Sequence, residues 1–447
     1  MKPSAECIYV SGEMEPSMPQ SVDFVAARTL SRQIFGTFFL AALAISGNLA
    51  HATRVCDVTA YGAKGDGAAK DTHAIQSAID ACAAKGGTVL LKSGIFLTGP
   101  IVLKSRITLE VDAGATLLGS QDRADYPEVE ELREKALQPL ISASHAERIA
   151  IRGGGTIDGN GKPWWDAVYA HRAGANFVAA MRPRLILFDH CKHILIENMT
   201  IQNSASWQVV PYYSDDVVIR NGKILAPARS PNTDGIDPFS SSHVTISHMT
   251  IDTGDDNIAI KSGQPNSPGP DSPSTDITIT DCTFLHGHGM SMGSEIAGGV
   301  QRVRARRIHF QDTASGVRIK SNRDRGGDIG NFDFRDLTME NVGTPILITE
   351  YYPRIPQHDS AQPVTRLTPH FHDIHISNLK ATGAKDAGTI VGLPESPITT
   401  ITLDHVEISA QKGMSVSDAT VTAHDFRVTA AAGDPYIPLE NAQINRN

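Results

Sequence analysis

Ile194-Leu-Ile-Glu-Asn-Met-Thr-Ile201, Val244-Thr-Ile-Ser-His-Met-Thr-Ile251 and Ile277-Thr-Ile-Thr-Asp-Cys-Thr-Phe284 are three versions of one pattern. Each alternates apolar residues, breaks at a two-residue polar corner, and alternates again. Val303 to Phe310, Phe332 to Met339 and Ile374 to Ala381 repeat it. Period-two alternation puts one set of side chains on a buried face, and the polar corner turns the chain onto the next face. The units return at intervals of roughly 26 to 50 residues, the longest gap leaving room for two coils, as in a solenoid. A unit this short cannot close a core alone, so units must stack, strand over strand about 4.8 Å apart. A sandwich or barrel would show mirrored strand pairs joined by turns such as Asn-Gly. Here each unit resembles the last, and the expected fold is all-β, a parallel β-helix.

Ahead of the repeats, glycines in the stretch Tyr61 to Gly67 mark tight turns. Asp71-Thr72 can then cap a helix from about His73 to Ala84, with Ile75, Ala78, Ile79 and Cys82 as its apolar stripe. A short amphipathic helix before an all-β region reads as an end cap over the first coil. A second helix is expected around Glu128 to Leu137. Further upstream, Arg28 and Arg32 precede an apolar run from Ile34 to Leu49, followed by Ala50-His51-Ala52. That order is a signal peptide with its cleavage site. The run is short for a membrane span of about 20 residues, so the expectation is secretion of a single domain, residues 53–447, without stable membrane insertion. The residues before Arg28 are long for a signal, which makes Met14 or Met18 an alternative start.

Cleavage there removes Cys7 and leaves Cys56, Cys82, Cys191 and Cys282. Cys56 and Cys82 are close enough in sequence to bridge; Cys191 and Cys282 read equally well as buried thiols. A net charge of −9 argues against a general nucleic-acid surface. It leaves an acidic polymer possible only through a local basic patch.

Four stretches fall at corresponding places in successive units: Asn232-Thr233-Asp234, Gly254-Asp255-Asp256, Gly287-His288-Gly289 and Arg318-Ile319-Lys320. Stacking puts them on one wall. Singly each has an ordinary explanation. Aspartates are common at corners, as Asp215-Asp216 illustrates; a histidine between glycines is usually a turn; alternate charges suit an exposed strand. Their order at repeat spacing argues for a site. Glycoside hydrolysis needs one carboxylic acid and one carboxylate. Adjacent aspartates reach the same cleft only if the strand bends, for which Gly254 is the expected device. Clustered carboxylates repel, so at least one should stay protonated to higher pH and serve as the acid. Trp164, Trp165 and Trp207 fit either sugar stacking or packing.

These four stretches resemble the signature motifs of the polygalacturonases, glycoside hydrolase family 28. The resemblance runs from about Asp57 to at least Tyr352 and includes Tyr61 to Asp71 and Gly154 to Gly161. It implies a right-handed parallel β-helix that hydrolyses α-1,4-galacturonosyl bonds of polygalacturonate with inversion, using no metal or other cofactor. It implies that Asp255 is the general acid, that Asp234 and Asp256 activate water, and that His288 supports the acid and contacts substrate. Arg318 and Lys320 would bind the galacturonate carboxylate, and Asn232 would contact substrate. Tyr352 matches a family tyrosine, with Tyr351 beside it as the alternative. Inversion requires room for a water, so Asp255 is expected about 6.5–9.5 Å from Asp234 or Asp256. The intact acidic pair and basic motif favour plain galacturonan over rhamnogalacturonan. The rivals are a Ca²⁺-dependent pectate lyase and a non-catalytic carbohydrate-binding solenoid. Exo-action is expected from two long segments able to wall off the cleft, Pro353 to Pro369 and Gln121 to Ala143. A monomer is expected.

Overall fold

The computed structural model describes residues 54–173 and 181–446. The expected signal peptide and the alternative starts lie outside the described residues. Long two-armed strands pair in parallel from coil to coil: Asp215–Leu225, Ser242–Asp252, Ser274–Leu285, Val300–Gln311, Asp328–Glu340, His370–Val391 and Ile398–Ser417. The fold is a right-handed parallel β-helix, as the repeats and the resemblance imply. Among the described residues no helix is long and apolar enough to cross a membrane.

The polar corner has a specific conformation. Its second residue is in the left-handed region in all six units: Asn198, His248, Asp281, Arg307, Asp336 and Asn378, with φ between 51° and 58°. Asn and Asp accept that region most readily, which explains their recurrence. One left-handed residue bends the strand while both arms keep pairing. The inward residues then stack in columns. Ile151, Ile196, Ile219, Ile246, Ile279, Ala305, Phe334, Ile376 and Leu403 are in register and buried. These columns form the core and fix the height of every coil.

At the N-terminal end a helix, Thr72–Ala83, buries Ala74, Ile75, Ala78, Ile79 and Cys82. Asp71 sits at its N-cap, yet its carboxylate makes no cap bond; it accepts instead from the Lys64 and Gly65 amides at 2.7 and 3.0 Å, closing the glycine turn. Cys56 and Cys82 form a disulfide, and Cys191 and Cys282 are buried thiols.

The second helix expected near Glu128 is absent. Glu128–Glu131 and Glu134–Leu137 form an antiparallel hairpin, turning at Leu132 and Arg133, both with positive φ. Helix-forming residues are overridden by tertiary contacts: Leu137 is buried, and Glu131 and Glu134 both bond Arg184.

A separate wall of short strands carries the site. Ile258–Ile260, Met290–Met292, Ser315–Lys320 and Thr344–Thr349 pair in parallel, so that Ala259, Ser291, Arg318 and Leu347 share one level. Ile236 continues the wall toward Val209 through single bridges.

Candidate active site

Asp234, Asp255, Asp256, His288, Arg318 and Lys320 all come to this wall, one coil after another. Asp256 lies just before Ile258–Ile260 and is buried. Its Oδ2 accepts from Lys320 Nζ at 2.7 Å, and its Oδ1 from Arg318 at 3.1 Å and Ser291 Oγ at 2.8 Å. Arg318 and Lys320 reach the same carboxylate because alternate strand residues point one way. Burial pushes the Asp256 carboxyl upward, but the charges of Lys320, Arg318 and Lys261 outweigh it and hold the group well below the carboxylate range.

Asp255 is half-buried. His288 Nδ1 stands 3.0 Å from Asp255 Oδ1, and Asn232 Nδ2 donates to Oδ2 at 3.4 Å. Burial raises the Asp255 carboxyl, yet the His288 contact and Lys320 win and lower it. Asp234 is the opposite case. It is buried, its Oδ1 accepts no hydrogen bond, and Lys261 Nζ comes only to 3.9 Å. Burial and the negative charges of Asp255 and Asp237 push it well above the carboxylate range. The shift toward the neutral form expected for one carboxyl thus falls on Asp234 and not on Asp255.

Of the two spacings expected, the one between Asp255 and Asp256 is short. Asp255, Asp256 and His288 bring oxygen and nitrogen atoms within 4.8 Å of one another, because the two aspartates are adjacent and Asp255 Oδ1 accepts from the Asp256 amide at 2.9 Å. Gly254 contributes through close approach: a Cβ there would lie 2.1 Å from the Ser230 carbonyl. Gly289 is in the left-handed region at φ 86°. Asn257 fixes the turn below His288, accepting from the Gly289 amide at 2.9 Å and donating to the His286 carbonyl at 3.0 Å.

Tyr352, rather than Tyr351, faces the site. Lys320 Nζ lies 5.3 Å and the Arg318 guanidinium 5.8 Å from the Tyr352 ring. Tyr351 is buried with its hydroxyl on Asp359 at 2.8 Å. Trp164 and Trp165 are packing residues: Trp164 meets Tyr126 edge-on at 5.4 Å, and Trp165 Nε1 donates to the Ser204 carbonyl at 2.9 Å. Trp207 has Arg184 and Lys261 each 4.6 Å from its ring. Asp215, half-buried, and Asp216, exposed, are corner groups bonded to His243 and His193.

Sequence reasoning missed a layer behind the aspartates. Lys261 is buried and donates to Glu295 at 3.1 Å. Burial lowers its ammonium pKa, but Glu295, Asp237 and Asp234 raise it further, and Lys261 in turn holds Glu295 at about 2. Arg182 donates to Asn232 Oδ1 at 2.9 Å, leaving the Asn232 amide nitrogen for Asp255. Asp237 is fully buried, neither oxygen accepts a hydrogen bond, and burial pushes it up to about 8. Asp237 and Lys261 follow closely on Asp234 and Asp256 in sequence, but only the third dimension shows them buried together.

Asp255, Asp256 and His288 are near enough to share a cation. However, both Asp256 oxygens are already taken by Lys320, Arg318 and Ser291. Ca²⁺ needs six to eight oxygen ligands, and this donor set does not provide them.

A parallel β-helix with buried and half-buried aspartates, an imidazole and two cations on one wall defines a polysaccharide-processing protein of the glycoside hydrolase type. The model of "Glycosyl hydrolases family 28" matches residues 82–430, and the chain belongs to that family. A "Probable polygalacturonase" of Vitis vinifera is 32% identical over 376 residues, covering 80% of this chain and 74% of that protein. An "Endo-polygalacturonase" of Pectobacterium carotovorum subsp. carotovorum is 33% identical over 298 residues, covering 63% of this chain and 72% of that one. Among solved structures, a hyperthermoactive exopolygalacturonase from Thermotoga maritima superposes with a TM-score of 0.69 at 28% identity, over 88% of this chain and 92% of that one.

Asp237 makes a testable contribution to stability. Its folded pKa of about 8 lies above the unfolded value of 3.8. The unfolded carboxyl therefore ionises first, and stability present below pH 4 is lost as pH rises toward 8. Asp237→Asn, which carries no proton to lose, should raise Tm at pH 8 and change it little at pH 4. An equal shift at both pH values would show that Asp237 is not held protonated.

Proposed function

We propose that this protein hydrolyses the α-1,4-galacturonosyl bonds of polygalacturonate outside the cell, by an inverting mechanism in which no metal takes part. The family supports a pectin-degrading glycoside hydrolase. The observation that carries the finer reading is the division among the aspartates: Asp256 clamped by Lys320 and Arg318, Asp234 buried with no partner on Oδ1 and shifted upward, and Asp255 held lower beside His288. Interacting carboxyls such as Asp234 and Asp255 titrate as a pair. Asp256, with Asp234, is assigned to orient and deprotonate the attacking water. Asp255 is assigned as the acid, taking the pair's proton when bound sugar excludes water and brings a further negative charge to the cleft. His288 steadies Asp255, and Asn232 and Tyr352 line the sugar path. The Cys56–Cys82 disulfide supports an oxidising compartment and hence secretion, and the enzyme acts as a monomer.

Exo-action is part of the proposal, and a contact pattern supports it. The 128–137 hairpin and the 353–369 loop both reach the segment 262–273 that follows Lys261. Arg133 pairs with Asp271 at 2.8 Å, and Arg366 donates to the Ser267 carbonyl. These contacts join three insertions beside the cleft. The relatives do not decide the matter, since they include both endo- and exo-acting enzymes.

Incubation with polygalacturonate should release reducing ends without ultraviolet absorbance, with little early loss of viscosity, and EDTA should leave the rate unchanged. The first product seen by NMR should have the anomeric configuration opposite to the substrate. An unsaturated product lost with EDTA would make the protein a lyase. An early viscosity collapse would make it endo-acting, and a retained configuration would exclude inversion.

Asp255→Asn should lower the rate on polygalacturonate by roughly 10²- to 10⁴-fold, while activity on a nitrophenyl galacturonide, whose leaving group needs no proton, is largely kept. If Asp234→Asn shows that pattern instead, the two exchange roles.

Arg318 and Lys320 are assigned to meet the galacturonate carboxylate, although in the free site Lys320 Nζ is engaged with Asp256. Arg318→Met should therefore cost about 1.5–3 kcal/mol of transition-state binding on polygalacturonate and less on its methyl ester. Lys320→Met, which also releases the Asp256 clamp, should lower both. Equal losses for Arg318→Met on the two substrates would assign it a structural role.

A further inference from the structure

Asp328, His370 and His372 converge at the start of two neighbouring strands of the long-strand wall, Asp328–Glu340 and His370–Val391. Asp328 is in register with His370, and His370 and His372 point the same way as alternate strand residues. His370 Nδ1 lies 3.1 Å and His372 Nε2 3.0 Å from the same oxygen, Asp328 Oδ1. The two rings stack at 4.7 Å.

Three features single the group out from the exposed His–Asp pairs elsewhere on the surface. His372 Nδ1 faces Asp373 Oδ2 at 2.9 Å, and Asp373 is itself anchored on Thr400 Oγ1 through its amide at 2.7 Å. A carboxylate behind the ring orients it so that Nε2 faces Asp328, the arrangement of carboxylate–histidine–metal triads. The other Asp328 oxygen accepts from Gln301 Nε2 at 2.8 Å, which orients the carboxylate. The His372 ring is seated over Gly330, where a Cβ would lie 2.7 Å from Cε1; only glycine leaves that room.

We propose that Asp328, His370 and His372 bind a first-row divalent cation, with Zn²⁺ as the best-fitting ion. Two imidazoles and one carboxylate suit such an ion and not Ca²⁺ or Mg²⁺. Tetrahedral coordination at about 2.0–2.1 Å places ligand atoms roughly 3.4 Å apart, so the observed 3.0 and 3.1 Å need open by only a few tenths of an ångström. Water takes the fourth position. The ion staples the first strand to the strand on which the chain returns, closing the excursion that carries Tyr352 and the 353–369 loop. Its role is structural and separate from the aspartate cluster.

The test is calorimetric titration of ZnCl₂ into the tag-free, EDTA-stripped full chain. One equivalent should bind. Asp328→Asn and His372→Gln should each weaken it at least about tenfold, while His288→Gln leaves it unchanged. Zn²⁺ should raise Tm of the wild type and not of His372→Gln. If His372→Gln fails to fold by circular dichroism, the exposed His370→Gln takes its place. No binding, binding unaltered by these substitutions, or binding lost only in His288→Gln would overturn the proposal.

Discussion

Parallel pairing at a fixed rise is the constraint from which the site follows. Once Ile196, Ile219, Ile246 and Ile279 must stack in one column, each coil has to return to the same position with the same register. Functional side chains far apart in sequence, Asp256 and Lys320 among them, are then brought together by the count of residues per coil. Nothing local holds Asp256 against Arg318; the level shared by Ala259, Ser291 and Arg318 does. A one-residue slip in Ser315–Lys320 would send both cations to the opposite face and leave a buried carboxylate unpaired, which is strongly destabilising. The charged wall and the register thus depend on each other.

Charge is distributed unevenly across that wall. Asp256 lies among Lys320, Arg318 and Lys261 and is ionised. Asp234 and Asp237 are deeper, lack hydrogen-bond partners on three oxygens, and are shifted toward the neutral form. Asp255 lies between, with His288 on one side. One wall thereby carries a carboxyl held low, Asp256, and one pushed high, Asp234, and the proposed hydrolysis draws on both kinds of carboxyl.

Much of this was legible in the sequence. Alternation broken by a polar corner is read directly as strand, left-handed turn, strand, because only the corner tolerates Asn198, His248 or Asp281 there. The four motifs were legible because stacking converts repeat spacing into proximity. What escaped reading has physical causes. Glu128 to Leu137 is rich in helix formers, and the Arg184 contacts that make it a hairpin come from some 50 residues away. Lys261, Glu295 and Asp237 are polar groups from different coils, and their burial together depends on stacking that no local pattern encodes. The choice between Tyr351 and Tyr352 turned on side-chain direction alone. The carboxyl that stays protonated was expected on electrostatic grounds, but which one depends on the depth of Asp234 and the reach of His288.

The central claim is that Asp256 is held as a carboxylate while Asp234, buried on the same wall, is shifted toward the neutral form. Neutron diffraction from deuterium-exchanged crystals at about pH 6 would show this directly. The account predicts a deuteron on Asp234 and none on Asp256. A deuteron on Asp256, or an ionised Asp234, would contradict it.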